Sequence, residues 1–423
     1  MVVVLTIFVL GVIIFVHEFG HFLAAKLVGI YVETFSIGFG PRLFSFRFWN
    51  TDFLLSLVPF GGYVKMKGDN PEETTYAGDE FLGKPVPQRI LVVISGPLMN
   101  LILGFVVFFA AYRFVGFTSI PGNRVEAVES GSIAENAGFM PGDRIVEVDG
   151  ESFRYWDDFF KKILKPGTHS VTVLRGDKKV VLNVTFQDTL KLGLIPYIPP
   201  VIGQVRKGGP AERAGFMPGD SVVSINNIEI RSWNDMVRII KFHPGDTLFI
   251  TVFRRGSLLT LSVVPEVKKD ENGKRIGLIG IMAPYITVKL PFVEAIQVAV
   301  NRTVSSARLI FDILGKLVTR KVSVKQIGGP VMIGKVIGES YSYGVYTLLV
   351  VVALISINLF VINIIPFPAL DGWYILMFLI EGVSRKPVPV RTQAFLQRVG
   401  FAILIAFMLL ITFFDISRIF GGK

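Results

Sequence analysis

The chain has 423 residues, 51% of them hydrophobic, and a mean hydropathy of +0.56, a composition that excludes a wholly soluble protein. Its 42 Gly, 23 Pro and 18% charged residues equally exclude a protein that lies entirely in lipid. The net charge of +11 is not gathered into basic runs with interleaved aromatic residues, so nucleic acid is not an expected partner, and the absence of Cys excludes disulfides.

Four apolar stretches are predicted to be membrane-spanning helices, which need about 20 residues each. We place them at roughly 2–29, 90–116, 345–365 and 399–414. The first is not preceded by a basic segment and is longer than a signal-peptide core, so we expect it to be retained.

The orientation of the spans follows from the short 380–398 loop. It carries four basic residues against one acid: Arg385, Lys386, Arg391 and Arg398 against Glu381. Because Lys and Arg are enriched in cytoplasmic loops, we expect this loop in the cytoplasm. Four crossings then put the 31–89 region on the cytoplasmic side, and the 117–344 segment and both termini outside.

The first span contains His17, Glu18 and His21 in the string HEFGH. Ionisable residues inside a spanning helix cost about 2.5–3.5 kcal/mol on insertion scales, so they usually mark function. Two His four residues apart lie on one helical face and can share one Zn²⁺, and the Glu beside them can take a proton from a water molecule that the metal activates. In an exposed helix this string can arise by chance, but the apolar flanks here leave no solvated setting for it.

The segment 31–66 has Gly and Pro around apolar runs such as 53–58, and it is predicted to form β-hairpin strands at the membrane. Irregular backbone survives at membrane depth only beside protein or a water-filled cavity. One interpretation is a strand edge that an unfolded substrate segment joins, and the alternative is a packing loop. Residues 67–89 are predicted to form a polar loop that has no role in chemistry.

The second span opens with the string SGPLMN, residues 95–100. Gly96 and the Pro after it allow a neighbouring helix or loop to approach closely. The amide of Asn100 needs a hydrogen-bond partner in hydrocarbon, and both a structural bond between helices and a catalytic role are consistent with its position.

The segment outside the membrane contains an internal repeat. AENAGFMPGD at 134–143 recurs as AERAGFMPGD at 211–220, with nine of ten positions identical. Each unit is predicted as a helix followed by alternating strands, which gives two tandem α+β domains at 117–193 and 194–280. The units resemble PDZ domains in the permuted bacterial form, which implies peptide binding in a groove beside a helix. The two remaining His of the chain are interpreted as surface residues without a metal role: His169 and His243.

Residues 281–344 carry apolar residues at roughly helical spacing with charged residues between them. This pattern predicts an amphipathic helix on the membrane surface, with a buried core helix as the alternative. A Gly-Gly-Pro turn at 328–330 then leads towards the third span.

A third metal ligand is expected near the end of the third span, because a catalytic zinc generally takes three protein ligands and HEFGH supplies two. The string NIIPFPALDG, residues 363–372, offers Asp371 between apolar stretches, after two helix-breaking prolines, Pro366 and Pro368. Three other carboxylates lie in amphipathic or terminal settings where solvation explains them: Asp312, Glu381 and Asp415.

Together, HEFGH, SGPLMN, the paired PDZ-like units and NIIPFPALDG make nearly the whole chain resemble the site-2 protease family of intramembrane zinc metalloproteases. The resemblance implies that His17, His21 and Asp371 bind one Zn²⁺ per chain. It also implies that Glu18 activates water and that Asn363 helps to bind substrate or the developing oxyanion. Five further residues of these strings are expected to support the site structurally: Gly96, Asn100, Pro366, Pro368 and Gly372.

The implied function is hydrolysis of a peptide bond in or near the transmembrane segment of single-span membrane proteins. The implied substrates are an anti-sigma factor after a first cleavage and remnant signal peptides. The implied location is a bacterial inner membrane, with the active site towards the cytoplasm and the PDZ pair in the periplasm, where it filters substrates by size. A membrane-anchored PDZ peptide-binding scaffold and a zinc transporter are the alternatives.

The predicted fold is a polytopic α-helical membrane protein with four transmembrane helices and a membrane-associated β-hairpin region, joined to two tandem α+β PDZ-like domains. In chain order the predicted segments are the first span 1–30, the hairpin region 31–66, a cytoplasmic loop 67–89, the second span 90–116, the PDZ-like domains 117–193 and 194–280, the amphipathic region 281–344, the third span 345–366, a cytoplasmic segment with the LDG string 367–398, the fourth span 399–416 and a tail 417–423. The expected partners are the lipid bilayer, the substrates and peptide ligands of the PDZ-like domains.

Overall fold

The computed structural model describes most of the chain: residues 2–70, 72, 74–153, 155–186, 191–270, 273–319, 321–322, 328–386 and 388–420. Internal contacts divide it into two compact units. The helical unit combines Met1–Phe117 with Lys289–Lys423, and the repeat unit is Thr118–Val288. Of the predicted tail 417–423, the last three residues lie outside the described part.

Four described helices of the helical unit are long and apolar enough to cross a membrane, in agreement with the four predicted spans. They run over Val2–Leu27, Val86–Val115, Val345–Ile364 and Val390–Arg418. The second and fourth begin earlier than predicted, because apolar length marks the part of a helix that suits lipid and not its more polar first turns.

The first helix, α1 (Val2–Leu27), ends in a turn at Gly29, whose φ is +73°. The amide of Ile30 donates to the carbonyl of Ala25, and the amide of Gly29 donates to that of Lys26. This is a Schellman motif, in which a left-handed glycine lets the last carbonyls of a helix find partners. The chain therefore leaves the helix in a sharp turn and enters a strand.

The strands β1 (Val32–Phe48) and β2 (Thr51–Met66) form an antiparallel sheet after α1. Both strands bend back, so that the first part of β1 has β2 on both sides, and Phe35 pairs with Val64 on one side and with Phe53 on the other. Across the sheet the segments follow the order 62–66, 32–37, 51–58 and 42–48. The bends contain glycines with positive φ, which other residues adopt only with strain: Gly38, Gly40 and Gly61.

The next helix, α2 (Val86–Ala110), has a Pro in its first turn, where the missing N–H leaves no hydrogen bond unmade, and it continues into a π-helical turn at Ala111–Val115. Arg89 in α2 is buried, and its guanidinium donates to both carboxylate oxygens of Glu381 at 3.0 and 2.6 Å. The explanation of Glu381 by solvation is therefore wrong, because sequence spacing does not reveal a partner almost 300 residues away.

The repeat unit contains two segments with corresponding elements. The first segment comprises β3 (Phe117–Ser119), β4 (Val125–Val128), α3 (Ile133–Asn136), β5 (Arg144–Val148), β6 (Glu151–Ser152), α4 (Trp156–Ile163), β7 (Gly167–Arg175), β8 (Lys178–Phe186) and β9 (Leu194–Pro196). Its four-stranded antiparallel sheet has the order β6-β5-β7-β8. Trp156, Phe159 and Ile163 of α4 are buried with residues of that sheet in one core, because these positions share a face of the helix.

The second segment comprises β10 (Gln204–Val205), α5 (Pro210–Arg213), β11 (Ser221–Ile225), β12 (Ile228–Glu229), α6 (Trp233–Phe242), β13 (Leu248–Arg254), β14 (Ser257–Val263), β15 (Glu266–Lys269), β16 (Arg275–Leu278), β17 (Ile281–Met282) and β18 (Ile286–Val288). Its sheet has the corresponding order β12-β11-β13-β14. Because β17 pairs with β10 and Ala283 belongs to the core of this segment, the second repeat continues past 280. Residues 281–288 thus contain the strands β17 and β18 and are not the start of an amphipathic region, and strands this short leave no alternating pattern to read.

The predicted surface role of His169 needs correction. Its Nδ1 lies 2.8 Å from a carboxylate oxygen of Asp149, its Nε2 lies 2.9 Å from the carbonyl of Lys165, and its side chain is 12% exposed. His243 is half-buried, with Nδ1 2.7 Å from the carbonyl of Ile239. Both rings thus bond to their own repeat, and neither belongs to the one group of candidate metal ligands among the described residues.

A buried ion pair fixes the turn that contains the AGFMPGD string in each repeat. In the second repeat the guanidinium of Arg254 donates to both carboxylate oxygens of Asp220, at 2.6 and 2.7 Å, and to the carbonyl of Gly215 at 2.8 Å. The first repeat makes the same three bonds with equivalent residues: Arg175, Asp143 and Gly138. The carboxylates are each only 1% exposed, which explains why the repeated string ends in Asp.

The helical unit resumes with α7 (Phe292–Val318), α8 (Pro330–Ser342), α9 (Val345–Ile364), α10 (Asp371–Ser384) and α11 (Val390–Phe420). The helices α7 and α8 both lie within the predicted amphipathic region 281–344. The segment 367–398, predicted as a loop, instead contains α10, which was missed because its 14 residues are fewer than a membrane span needs. Helices of that length are ordinary in packed proteins but too short to cross lipid.

The carboxylate of Asp415 in α11 lies against the first turn of α8. Asp415 is fully buried and accepts hydrogen bonds from the amides of Gly329 at 3.1 Å and Met332 at 2.9 Å. These amides belong to the helix start, where backbone donors have no partner within the helix. The explanation of Asp415 by solvation is therefore also wrong, because the side chain caps a helix that lies far from it in sequence.

Replacement of Arg254 by Leu is expected to destabilise the repeat unit by about 3–5 kcal/mol, because it leaves the buried carboxylate of Asp220 without its charged partner. Urea unfolding of the full chain, followed by Trp fluorescence, measures this loss. The matched control is Arg231→Leu, which breaks an exposed ion pair with Glu229 and is expected to cost at most about 1 kcal/mol. Equal effects of the two substitutions would contradict the stabilising role of the buried pair of Arg254 and Asp220.

The stability lost in Arg254→Leu should also depend on pH. Burial disfavours the charged form of Asp220, but the bonds from Arg254 and from the amide of Met217 outweigh it and hold the pKa of this carboxyl below its ordinary value. A depressed pKa contributes stability above the unfolded value of about 3.9 and loses it as the pH falls through the folded value. The difference between wild type and Arg254→Leu is therefore expected to be full at pH 7 and to shrink below pH of about 4.

Candidate metal centre

Two imidazoles and one carboxylate of the helical unit meet at one point. The Nε2 atoms of His17 and His21 lie 3.3 Å apart. The carboxylate oxygens of Asp371 lie 3.1 Å from Nε2 of His17 and 3.6 Å from Nε2 of His21. The predicted trio is thus brought together from the two ends of the chain.

These distances suit a shared metal ion. Donor atoms about 2.0–2.2 Å from one tetrahedral zinc ion lie about 3.3–3.6 Å from each other, close to the separations in this trio. Two imidazole nitrogens and a carboxylate oxygen are also a donor set that catalytic zinc sites use, with a further position left for water or substrate. The three residues form the one group with this potential among the described residues.

The local sequence explains how α1 and α2 bring the rings into place. The helices touch at Gly20, where an added Cβ would lie 2.3 Å from the carbonyl oxygen of Ser95, and at Gly96, where it would lie 2.2 Å from Nε2 of His21. Only glycine at both positions permits this approach. The carbonyl of Val92, one turn before Gly96, then accepts a hydrogen bond from Nδ1 of His21 at 2.9 Å.

Asn100 lies beside the other imidazole. Its side-chain amide is 3.2 Å from Nδ1 of His17, and the residue is fully buried. A hydroxyl from α9, that of Ser356, donates to the backbone carbonyl of Asn100 at 2.7 Å. Asn100 thus makes the hydrogen bond between helices that one of the two interpretations required, and its partner, His17, is a residue of the candidate site.

Asp371 reaches the site because the chain turns abruptly between α9 and α10. Pro366 and Pro368 lie in this turn, and Ala369 has a φ of +89°. An added Cβ at Gly372 would lie 2.3 Å from the carbonyl oxygen of Ile365, so glycine allows α10 to begin directly against the end of α9. Asp371 is the first residue of α10, so its position is fixed by the turn that precedes it.

A cavity of about 340 Å³ adjoins the trio. Glu18 lines it, and so do four residues from the last part of β2: Gly62, Tyr63, Val64 and Met66. An added Cβ at Gly62 would lie 2.9 Å from Cγ of Glu18, so the strand passes directly beside this carboxylate. The cavity thus places an extended backbone next to an acid and a candidate metal site.

Two polar residues that line the cavity were not predicted from the sequence. Asp69 and Tyr374 line it, although residues 67–89 were expected to have no chemical role. Burial raises the pKa of the Asp69 carboxyl, which accepts a hydrogen bond from the amide of Met66 at 3.1 Å. Tyr374 lies one helical turn after Asp371, and this spacing was the available signal. Asn363, in the last turn of α9, is half-buried and is not among the described lining residues.

Comparison with known proteins adds the decisive observation, because the profile of peptidase family M50 matches residues 5–407. The chain belongs to this family, the site-2 proteases. As an M50 peptidase it is a zinc-dependent intramembrane protease, and the resemblance seen in the sequence is confirmed. The match runs from α1 into α11 and so includes both parts of the candidate site.

Two bacterial relatives match this M50 peptidase along almost its whole length. The chain is 35% identical to the regulator of sigma-E protease RseP of Escherichia coli strain K12, over 97% of both chains. It is 32% identical to the zinc metalloprotease RasP of Geobacillus kaustophilus, over 98% of this chain and 97% of the relative. Among solved structures, the PDZ domain of an SdrC-like protein from Listeria monocytogenes is similar to 21% of this chain, with 90% of that domain covered, 20% identity and a TM-score of 0.18. That score carries no conclusion about the fold.

Gly96→Ala is expected to lower the zinc content of the purified protein at least about tenfold, because the new methyl group would displace the ring of His21. The matched control is Gly11→Ala in α1, where an added Cβ meets nothing within 4 Å. Elemental analysis of both variants, purified without added zinc, makes the comparison. Full zinc content in Gly96→Ala would show that the metal lies elsewhere.

Proposed function

We propose that His17, His21 and Asp371 hold one zinc ion per chain. The observation that carries the proposal is the convergence of their three donor atoms beside Glu18 and an extended strand. The name of the Geobacillus relative, a zinc metalloprotease, supports zinc as the metal, and the name of the Escherichia coli relative supports proteolysis. The function is hydrolysis of a peptide bond in or near a transmembrane segment.

Glu18 is the residue that moves protons in this reaction. When bound, zinc supplies a Lewis acid that polarises a peptide carbonyl and makes a water molecule acidic enough to lose a proton near neutral pH. Glu18, which lines the cavity, takes that proton as the C–O bond forms and gives it to the amine as the C–N bond breaks.

The last part of β2 presents the substrate. Residues 62–66 pair with 32–37 on one side, and four of these five residues line the cavity together with Glu18. A helix hides its carbonyls in its own hydrogen bonds, so a transmembrane substrate must unwind before attack. We assign 62–66 as the edge to which the unwound segment adds as an extended strand, which supplies the backbone partners that lipid cannot. Asn363 is assigned to substrate or oxyanion support on the resemblance alone.

The repeat unit is assigned as two tandem PDZ-like domains, 117–193 and 194–288. The four-stranded sheet and the core helix that recur in each repeat support this assignment. The two domains are tied together, since Glu126 of the first accepts hydrogen bonds from Ser232 and Asn234 at the start of α6 in the second. Their role is to filter substrates by the size of the domain outside the membrane.

The substrates are single-span membrane proteins, among them an anti-sigma factor after a first cleavage and remnant signal peptides. The name of the Escherichia coli relative, a regulator of sigma-E protease, supports the first of these. We place the protein in a bacterial inner membrane, with the repeat unit in the periplasm and the connection between α10 and α11 and the active site towards the cytoplasm. The four basic residues of the 380–398 segment support this orientation.

Glu18→Gln is expected to lower cleavage of a single-span membrane reporter by about 10²–10⁴-fold, because the amide cannot accept a proton from water. Zinc content should stay at the wild-type value, since Glu18 is not one of the three donors. The control is Glu33→Gln, which removes an acid that pairs with Lys65 on the surface. Cleavage and zinc content are measured on the same preparations.

Unchanged cleavage in Glu18→Gln would contradict the proposed mechanism. Peptide binding by the repeat unit without any zinc-dependent cleavage by wild type would favour a scaffold. Zinc flux into proteoliposomes that persists when cleavage is lost would favour a transporter.

A further inference from the structure

The two imidazoles of the candidate site have the same arrangement of nitrogens. Nε2 of His17 and of His21 face Asp371, while both Nδ1 atoms point away from it and towards α2. A neutral imidazole carries a proton on one nitrogen and a lone pair on the other. A ring that offers Nε2 to a metal must therefore keep its proton on Nδ1, and that N–H needs an acceptor.

His21 meets this requirement without ambiguity. Its Nδ1 faces the backbone carbonyl of Val92, which can only accept a hydrogen bond. The bond fixes the proton on Nδ1 and leaves the Nε2 lone pair for the metal. A partner that fixes the tautomer in this way is typical of metal-binding His.

His17 has a partner that can act either way. Its Nδ1 faces the side-chain amide of Asn100, whose nitrogen is the atom at 3.2 Å. In this orientation the amide nitrogen donates to Nδ1, which forces the imidazole proton onto Nε2 and blocks the lone pair that faces Asp371.

A half-turn of the amide exchanges its oxygen and nitrogen, which are nearly equal in size. The oxygen of Asn100 is buried and has no hydrogen-bond partner among the described residues, so no hydrogen bond to that oxygen holds the amide in its present orientation. After the half-turn the oxygen accepts a proton from Nδ1 of His17, and the two rings have equivalent partners.

We propose that Asn100 is a positioning residue that sets the tautomer of His17. In the metal-loaded enzyme its side-chain oxygen accepts the Nδ1–H of His17 and leaves Nε2 free for the metal. This role rests on the proposed zinc site and adds a residue to it.

The placement of Asn100 suits this role. Gly96 and Asn100 are four residues apart on α2, as His21 and His17 are on α1, and the two helices run in opposite directions at this contact. On the same face of α2, Gly96 therefore leaves room for the ring of His21, and Asn100 places its amide beside the ring of His17. Ser356 of α9 donates to the backbone carbonyl of Asn100 and not to its side chain, so this bond holds the helix without fixing the orientation of the amide.

The test compares Asn100→Asp and Asn100→Leu in the full chain in detergent. The Asp carboxylate keeps an acceptor for Nδ1–H, whereas Leu has a similar volume and no acceptor. We expect the Leu variant to bind zinc about 10–100-fold more weakly than wild type, and the Asp variant to bind at least as tightly as wild type. Competition with a chelator, with zinc alone as the ligand, gives the dissociation constants.

The matched control is Ser356→Ala, which removes the buried bond to the backbone of Asn100 and leaves the amide intact. It should lower stability and leave zinc affinity unchanged. Wild-type affinity in Asn100→Leu, or equal losses in the Leu and Asp variants, would overturn the role of Asn100 while the zinc site stands. A wild-type protein that binds no zinc would overturn the proposed function itself.

A measurement on the wild type does not depend on how the variants fold. The chain has only four His, so ¹⁵N labelling of histidine gives few ring signals, and His17 can be assigned by its loss in His17→Gln. With zinc bound, we expect the Nδ1 of His17 to carry the proton and to be hydrogen-bonded. A zinc-loaded protein in which His17 carries its proton on Nε2 would overturn the proposal.

Discussion

The close contact of α1 and α2 is the constraint on which the rest of the helical unit depends. The helices approach so closely that Gly20 and Gly96 have no room for a Cβ. Dispersion and hydrogen bonds, and not a hydrophobic force, hold helices together in lipid, so such small residues decide where they meet. Because this contact lies beside His17 and His21, it also decides where their imidazoles point.

Asp371 comes to the imidazoles from the other end of the chain and needs its own support. The turn between α9 and α10 aims it, and the bidentate pair of Arg89 and Glu381 ties α10 to α2. The helix α2, which carries the hydrogen-bond partners of both imidazoles, therefore also holds α10, which carries Asp371. The strand that passes beside Glu18 completes a site in which an extended peptide backbone would meet the acid.

The sequence predicted the parts of this molecule that depend on local pattern. Spacing alone placed His17, Glu18 and His21 on one helix, and the need for a third ligand selected Asp371, which the structure brings within 3.1 Å of His17. The four spans were predicted from the length of the apolar stretches, and the repeat was predicted from the near-identical sequences at 134–143 and 211–220. What the sequence could not predict are contacts between distant segments that no ligand requirement links, such as those of Asp415 and Glu381, which looked solvated because their partners lie far away in sequence. The short helix α10 and the short strands at 281–288 were missed because neither has enough residues for a periodic signal.

The central claim is that two imidazoles of α1 and the carboxylate of Asp371 share one metal ion. X-ray absorption at the zinc edge, measured on the purified full chain, tests it most directly because it counts the imidazoles around the metal. We expect one zinc per chain with two imidazole nitrogens and otherwise oxygen donors, and the loss of bound zinc in Asp371→Ala. Any other number of imidazoles, or wild-type zinc in Asp371→Ala, would contradict it.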